Sequence, residues 1–114
     1  MSSFDAIDLD DGLVRLELNG RLDSAGVQQI EPQLIESVGQ ADKDVLIDLH
    51  QVGFVGSLGI RMLVSAARKI DRAGRSLMLT GVQAQVLDVF ETVGLGELIP
   101  IVANADEARQ RLSA

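Results

Sequence analysis

The row Val52-Gly53-Phe54-Val55-Gly56-Ser57-Leu58-Gly59 sets one serine in a loop with three glycines, Gly53, Gly56 and Gly59. Before it lies an apolar run, Val45-Leu46-Ile47-Asp48-Leu49, and after it apolar residues recur at Ile60, Leu63, Val64, Ala67 and Ile70. That second spacing is one face of a helix, so a buried strand delivers Ser57 to a first helical turn. Backbone N–H groups in a first turn lack partners within the helix, and the positive end of the macrodipole lies there. A phosphate attached to Ser57 or bound beside it would find donors already in place. Position alone favours a plain N-cap, the hydroxyl accepting a bond from a nearby N–H, because serine is among the preferred N-cap residues.

Other chemistries fail on their parts. The nucleophile elbow of hydrolases reads G-x-S-x-G, and Val55-Gly56-Ser57-Leu58-Gly59 lacks its first glycine. The sole histidine, His50, lies seven residues upstream of Ser57, and no separate segment supplies a base held by a third group. His50 is therefore read as a partly exposed loop residue. Neither G-x-x-x-x-G-K-[ST] nor G-x-G-x-x-G is present. One histidine and scattered carboxylates give no metal-ligand spacing, and Met62 and Met78 read as core filler. No catalytic residue, no metal ligand and no cofactor is expected, and the chain is read as no enzyme.

The whole chain must position that serine. Its 114 residues fit one domain, 1–114, and 46% hydrophobic with 24% charged residues is the composition of an ordinary globular protein. No apolar run reaches membrane-spanning length, and Met1-Ser2-Ser3-Phe4-Asp5 lacks the regions of a signal peptide, so a cytoplasmic location without membrane insertion is expected. Zero cysteines leave stability to packing. A net charge of −7 opposes phosphodiester backbones, and 3% aromatic residues offer no stacking platform, which sets direct nucleic-acid binding aside.

Along the chain, residues 4–8 make a weak strand, Asp10-Asp11-Gly12 a turn, and Leu13–Asn19 an alternating strand that pairs back as a hairpin. Gly20 allows a turn, and Asp23 or Ser24 caps a helix marked by Val27, Ile30, Leu34, Ile35 and Val38. The apolar stripe keeps its phase across Pro32, which predicts one kinked or bulged helix with Pro32 facing outward and Gly39 as its stop. After the central strand, loop and helix come a buried strand at 77–80 and a helix carrying Val86, Leu87 and Phe90. That helix closes at Gly94, with Leu95 against the cap. A last strand at 98–102 has Pro100 as an edge signal, and Asn104 with Glu107 has capping-box spacing before Ala105, Ala108 and Leu112. Strands alternating with helices predict an α/β fold, a mixed, mostly parallel sheet of four to five strands packed with four helices.

Four blocks carry a family resemblance: Gly20-Arg21-Leu22-Asp23; Val45-Leu46-Ile47-Asp48-Leu49; Val52 through Ile60; and Phe90-Glu91-Thr92-Val93-Gly94-Leu95. Together they resemble a STAS domain over most of the chain, and are most similar to bacterial anti-sigma factor antagonists. The resemblance implies a non-catalytic partner-switching regulator of transcription. An anti-sigma factor with serine kinase activity would phosphorylate the serine at this junction, here Ser57, and a metal-dependent serine phosphatase would reverse it. The dephosphorylated form would bind the anti-sigma factor and release the sigma factor. Asp23 falls where the family flanks its interaction surface.

With that context Ser57 is expected to be phosphorylated, a role compatible with capping. The expected partner surface comprises Asp23, Gly56, Ser57, Leu58, Gly59 and Arg61, and extends along the next helix to Arg68. Oligomeric state is left open. The family usually has an acidic residue before the serine and a small one after it, whereas this chain has Gly56 and Leu58. That departure keeps an alternative in view, a non-phosphorylated accessory subunit of a membrane transport system of the ABC type or another signalling complex.

Overall fold

Alternation in β2 (Leu13–Asn19) buries Leu16 and Leu18 in the main core and sends Arg15 and Glu17 to the opposite face. The structure, a computed structural model, describes residues 2–10, 12–40 and 42–113, and of Asp8 and Asp10 the backbone alone. β1 (Ser3–Asp10) pairs with β2 antiparallel and is longer than the expected 4–8, because pairing along β2 runs from Ser3 to Asp10 with one irregularity between Asp8 and Asp10. Of the expected turn, Asp11 lies outside the described residues, and Gly12 has a φ of 92°.

β3 (Asp44–Gln51), β4 (Leu77–Thr80) and β5 (Ile101–Val102) complete a five-stranded sheet in the order β1-β2-β3-β4-β5. From β2 onward each pair is parallel. α1 (Ser24–Gln40), α2 (Ser57–Arg72) and α3 (Ala84–Val93) are the crossovers, and α4 (Ala105–Ser113) follows β5. The three crossovers pack on one face, where Ile30 and Leu34 of α1, Met62 and Leu63 of α2, and Phe90 of α3 meet Ile47 and Leu49 of β3. Crossovers of one hand between successive neighbours put their helices on the same side. α4 covers the other face through Ala108, over Leu13, Leu46, Met78 and Val102. Covered on both faces, the central strand is buried continuously from Val45 to Leu49, which is why it reads as a run and not as an alternation.

Pro32 lies within the single helix α1 and is exposed, as the unbroken stripe required. Gly39 is not the stop: α1 runs on to Gln40, and Gly39 lacks a positive φ. It faces Lys69 of α2, whose Cε would stand 2.6 Å from a Cβ there, a contact that the flexible end of the lysine can relieve. β5 is shorter than the expected 98–102. A 3-10 turn at Leu95–Glu97 follows the left-handed Gly94 cap (φ 70°), leaving Leu98 exposed and Ile99 buried before the strand. Pro100 precedes β5 at the sheet edge, and its carbonyl accepts from Leu79 N at 2.9 Å. At α4, Asn104 Oδ1 accepts from Glu107 N at 2.9 Å, while the Glu107 carboxylate accepts from Ala103 N, one residue upstream of a reciprocal capping box.

Candidate functional site

Gly20, with a φ of 97°, turns the chain out of β2 so that Arg21-Leu22-Asp23 runs parallel to Phe54-Val55-Gly56. Leu22 N donates to the Phe54 carbonyl at 2.9 Å, and Gly56 N donates to the Leu22 carbonyl at 3.0 Å. Leu22 and Val55 are both buried, anchoring this short ladder in the core. The starts of α1 and α2 are thereby drawn against the same short strand. α2 approaches it through Gly59, where a Cβ would be 2.9 Å from both Leu22 Cβ and Val55 Cγ1. α1 does so through Gly26, where a Cβ would land on the Arg21 carbonyl oxygen.

The two helix starts are finished differently. Asp23 caps α1, its Oδ1 accepting from Gly26 N at 2.9 Å, and Ser24 is the first helical residue and not the cap. Arg21 Nε stands 3.4 Å from Asp23 Oδ2. The bond from Gly26 N, aided by Arg21, holds the Asp23 carboxyl below the usual aspartate range.

At α2 the N-cap is Gly56 (φ −91°, ψ −175°), without a side-chain cap bond, and Ser57 is the exposed first residue of the helix. The N-cap reading of Ser57 is thus overturned. The Leu22 ladder holds the chain extended only as far as Gly56, so the helix begins at Ser57, one residue earlier than a capping serine would require. The N–H groups of Ser57, Leu58 and Gly59 have no protein partner among the described residues, and the first turn holds no acidic side chain. The first bond of the helix runs from Ile60 N to the Gly56 carbonyl at 3.0 Å.

Around this open end, Phe54 and Leu58 are 39% and 40% exposed, two large apolar side chains beside one serine. The Arg21 guanidinium lies 4.3 Å from the centre of the Phe54 ring. Arg61 is exposed one turn beyond Ser57, whereas Gly59 is buried and acts through close packing. Arg68 is eleven residues along α2, on the order of 16 Å from Ser57 at 1.5 Å per residue, and is not part of this cluster.

A second polar cluster escaped the sequence reading. His50 belongs to β3 and not to a loop; its backbone N–H bonds to Asp48 Oδ1 at 3.0 Å and its Nδ1 lies 2.8 Å from the same oxygen. Asp48 is buried, and Glu17 stands opposite it in the β2–β3 register. Donor atoms of Glu17, Asp48 and His50 lie within 4.8 Å of one another. Arg15 bridges to Glu17 at 3.0 Å and approaches Asp48 at 4.0 Å, supplying the positive charge the two carboxylates call for. Glu17 and Asp48 are 31 positions apart, and only the strand register brings them together.

Comparison with known proteins agrees with this architecture. The family model for the STAS domain matches residues 6–108. Over 98 residues, 86% of this chain and 84% of the relative, the sequence is 31% identical to BtrV of Bordetella bronchiseptica, named as a candidate anti-sigma factor antagonist. The crystal structure of an anti-sigma factor antagonist from Mycobacterium paratuberculosis superposes with a TM-score of 0.86 at 19% identity, covering 100% of this chain and 96% of that one. The Bacillus cell fate determinant SpoIIAA in its phosphorylated form superposes with a TM-score of 0.69 at 22% identity, covering 96% and 99%.

Proposed function

This chain belongs to the STAS-domain family of anti-sigma factor antagonists, and we propose that it acts in the cytoplasm as a non-catalytic partner switch with Ser57 as the switched residue. Unphosphorylated, it binds an anti-sigma factor through Phe54, Leu58, Arg61 and the neighbouring Asp23 loop. A serine kinase, the anti-sigma factor itself, transfers a phosphoryl group from ATP to Ser57 Oγ, and a metal-dependent phosphatase removes it.

The observation that carries this reading is the exposed Ser57 at a helix start whose first three N–H groups have no protein partner among the described residues. A phosphoryl group there adds about −1.5 to −2 charges. The open N–H groups and the helix dipole accommodate it without unfolding α2. In a complex, the same charge would have to be desolvated between two apolar side chains, so the contact is lost while the fold remains. Gly56, in place of the acidic residue usual in the family, removes a like charge from beside the phosphate and leaves Phe54 and Leu58 to carry recognition.

The test measures affinity for the anti-sigma factor with Ser57→Ala and Ser57→Asp. Ser57→Ala is expected to bind like the wild type. Ser57→Asp is expected to bind at least about 30-fold more weakly, a loss of roughly 2 kcal/mol, with no drop in its melting temperature. Equal affinity of the two variants would remove Ser57 from the switch and favour constitutive docking.

A further inference from the structure

At the end of the sheet opposite Ser57, a groove of about 500 Å³ opens between the C-terminal half of α2, the start of β4, the segment before β5 and the end of α4. It is about 20 Å from Ser57 along α2, at 1.5 Å per residue. Its floor is apolar, with Ile70, Leu77 and Ile99 buried beneath it. Three arginines from three different segments line it, Arg68 of α2, Arg75 before β4 and Arg111 of α4. None of these three side chains makes a hydrogen bond or ion pair with another described residue. Asp71 is the one carboxylate among the described residues of the lining.

The charge arrangement runs against the composition. In a chain with 17 acidic residues and a net charge of −7, ordinary pairing would quench three neighbouring guanidinium groups. Here they stand without carboxylate partners around an apolar floor, and Leu98, 67% exposed, is held in water at the rim. Arginines offer forked donors that match a carboxylate or phosphate, and the apolar floor can take a hydrocarbon chain. The volume lies within the range of roughly 300–1,000 Å³ typical of small-ligand sites.

We propose that this groove binds a free anionic amphiphile, a medium-chain carboxylate whose head is held by Arg68, Arg75 and Arg111 and whose chain lies over Ile70, Leu77 and Ile99. Occupancy is independent of the phosphorylation state of Ser57, because the two sites sit at opposite ends of α2. The chain thereby carries a ligand input separate from its partner switch.

The experiment titrates dodecanoate, below its micelle-forming concentration and at low salt, into the full chain. Calorimetry gives affinity, and amide chemical shifts give location. Saturable one-to-one binding with a Kd on the order of 100 µM is expected for a ligand of this size. Shifts are expected at residues 64–71, 98–99 and 111–112. Because the three arginines are exposed, their combined replacement by alanine leaves the fold intact and weakens binding by about tenfold. Replacement by lysine recovers only part of the affinity, because charge returns without the fork; Leu98→Asn weakens binding with the arginines in place, and Ser57→Asp leaves it unchanged.

Absence of saturable binding overturns the proposal, as does equal binding of uncharged decanol, or an affinity unmoved by the triple alanine variant. Co-sedimentation with phosphatidylglycerol vesicles in the absence of dodecanoate binding overturns it too, and assigns the arginines to a membrane surface.

Discussion

α1 and α2 start side by side on the two flanks of the Leu22–Val55 bridge, and their first turns are completed in opposite ways. At α1 a carboxylate sits at the positive end, Asp23 accepting from Gly26 N, while the N–H groups of Ser24 and Ala25 have no protein partner among the described residues. At α2 the cap is a glycine, and three N–H groups are left without protein partners among the described residues. A start that already holds a carboxylate is charge-compensated by folding alone. An open one holds donors in reserve for a charge that arrives later, so the contrast separates a structural helix terminus from one fitted to switching.

The most severe way to break the comparison is to separate the two starts. Gly26→Ala would drive a Cβ onto the Arg21 carbonyl oxygen, a backbone atom that cannot move without dislodging the Leu22 ladder. A loss of about 3 kcal/mol or more is expected, read as a melting temperature lower by roughly 10 °C or more. Gly59→Ala is milder, because the Cβ would meet Leu22 Cβ, the Leu22 carbonyl oxygen and Val55 Cγ1 at 2.9 Å, overlaps far shallower than the one at Gly26. Overpacking of about 1–3 kcal/mol is expected in denaturant unfolding. If both changes cost no more than an ordinary exposed glycine substitution, close approach to Leu22 does not hold the two starts together.

Periodicity made most of the fold legible, because burial on one helix face or both sheet faces repeats along the row. The stripe through Val27, Ile30, Leu34 and Val38 carried α1 past Pro32, since an exposed proline costs a helix bond without interrupting its buried face. Contacts between distant segments were less legible. The serine before an apolar stripe read as an N-cap, but where the helix begins is decided by Leu22 pairing with Gly56, 34 positions away. Gly39 read as a stop because its actual neighbour, Lys69, is remote in sequence. The Glu17–Asp48–His50 cluster depends on strand register, and the arginine groove on where α4 closes over the sheet, neither of which leaves a local pattern.

At the filled start, Asp23→Ala removes the cap and is expected to lower the melting temperature by a few degrees. Asp23→Asn retains an acceptor and isolates the charge. Because the folded-state pKa of Asp23 is depressed, its ionised form contributes stability that is fully present above the ordinary aspartate value of about 3.9. That contribution is lost as pH falls through the lower folded value. The gap in melting temperature between wild type and Asp23→Asn should therefore be open at pH 6 and close progressively below about pH 4. A gap independent of pH would mean that Asp23 acts through geometry alone.

The smallest expected effect gives the sharpest contrast, because it places the same charge at the same helical position on both sides. Ser24 and Ser57 are each the exposed first residue of their helix. Ser57→Asp adds a negative charge beside three open N–H groups and should stabilise by about 0.3–1 kcal/mol at low ionic strength. Ser24→Asp adds one beside Asp23, whose carboxylate already satisfies Gly26 N, so dipole attraction and like-charge repulsion offset and little or no gain is expected. At 1 M salt the Debye length falls to about 3 Å, and the Ser57→Asp gain should largely disappear. Thermal melts of the two variants at low and high salt decide the matter. Equal gains would mean that α1 is as open to an added anion as α2, and the distinction between a finished helix start and a reserved one would fail.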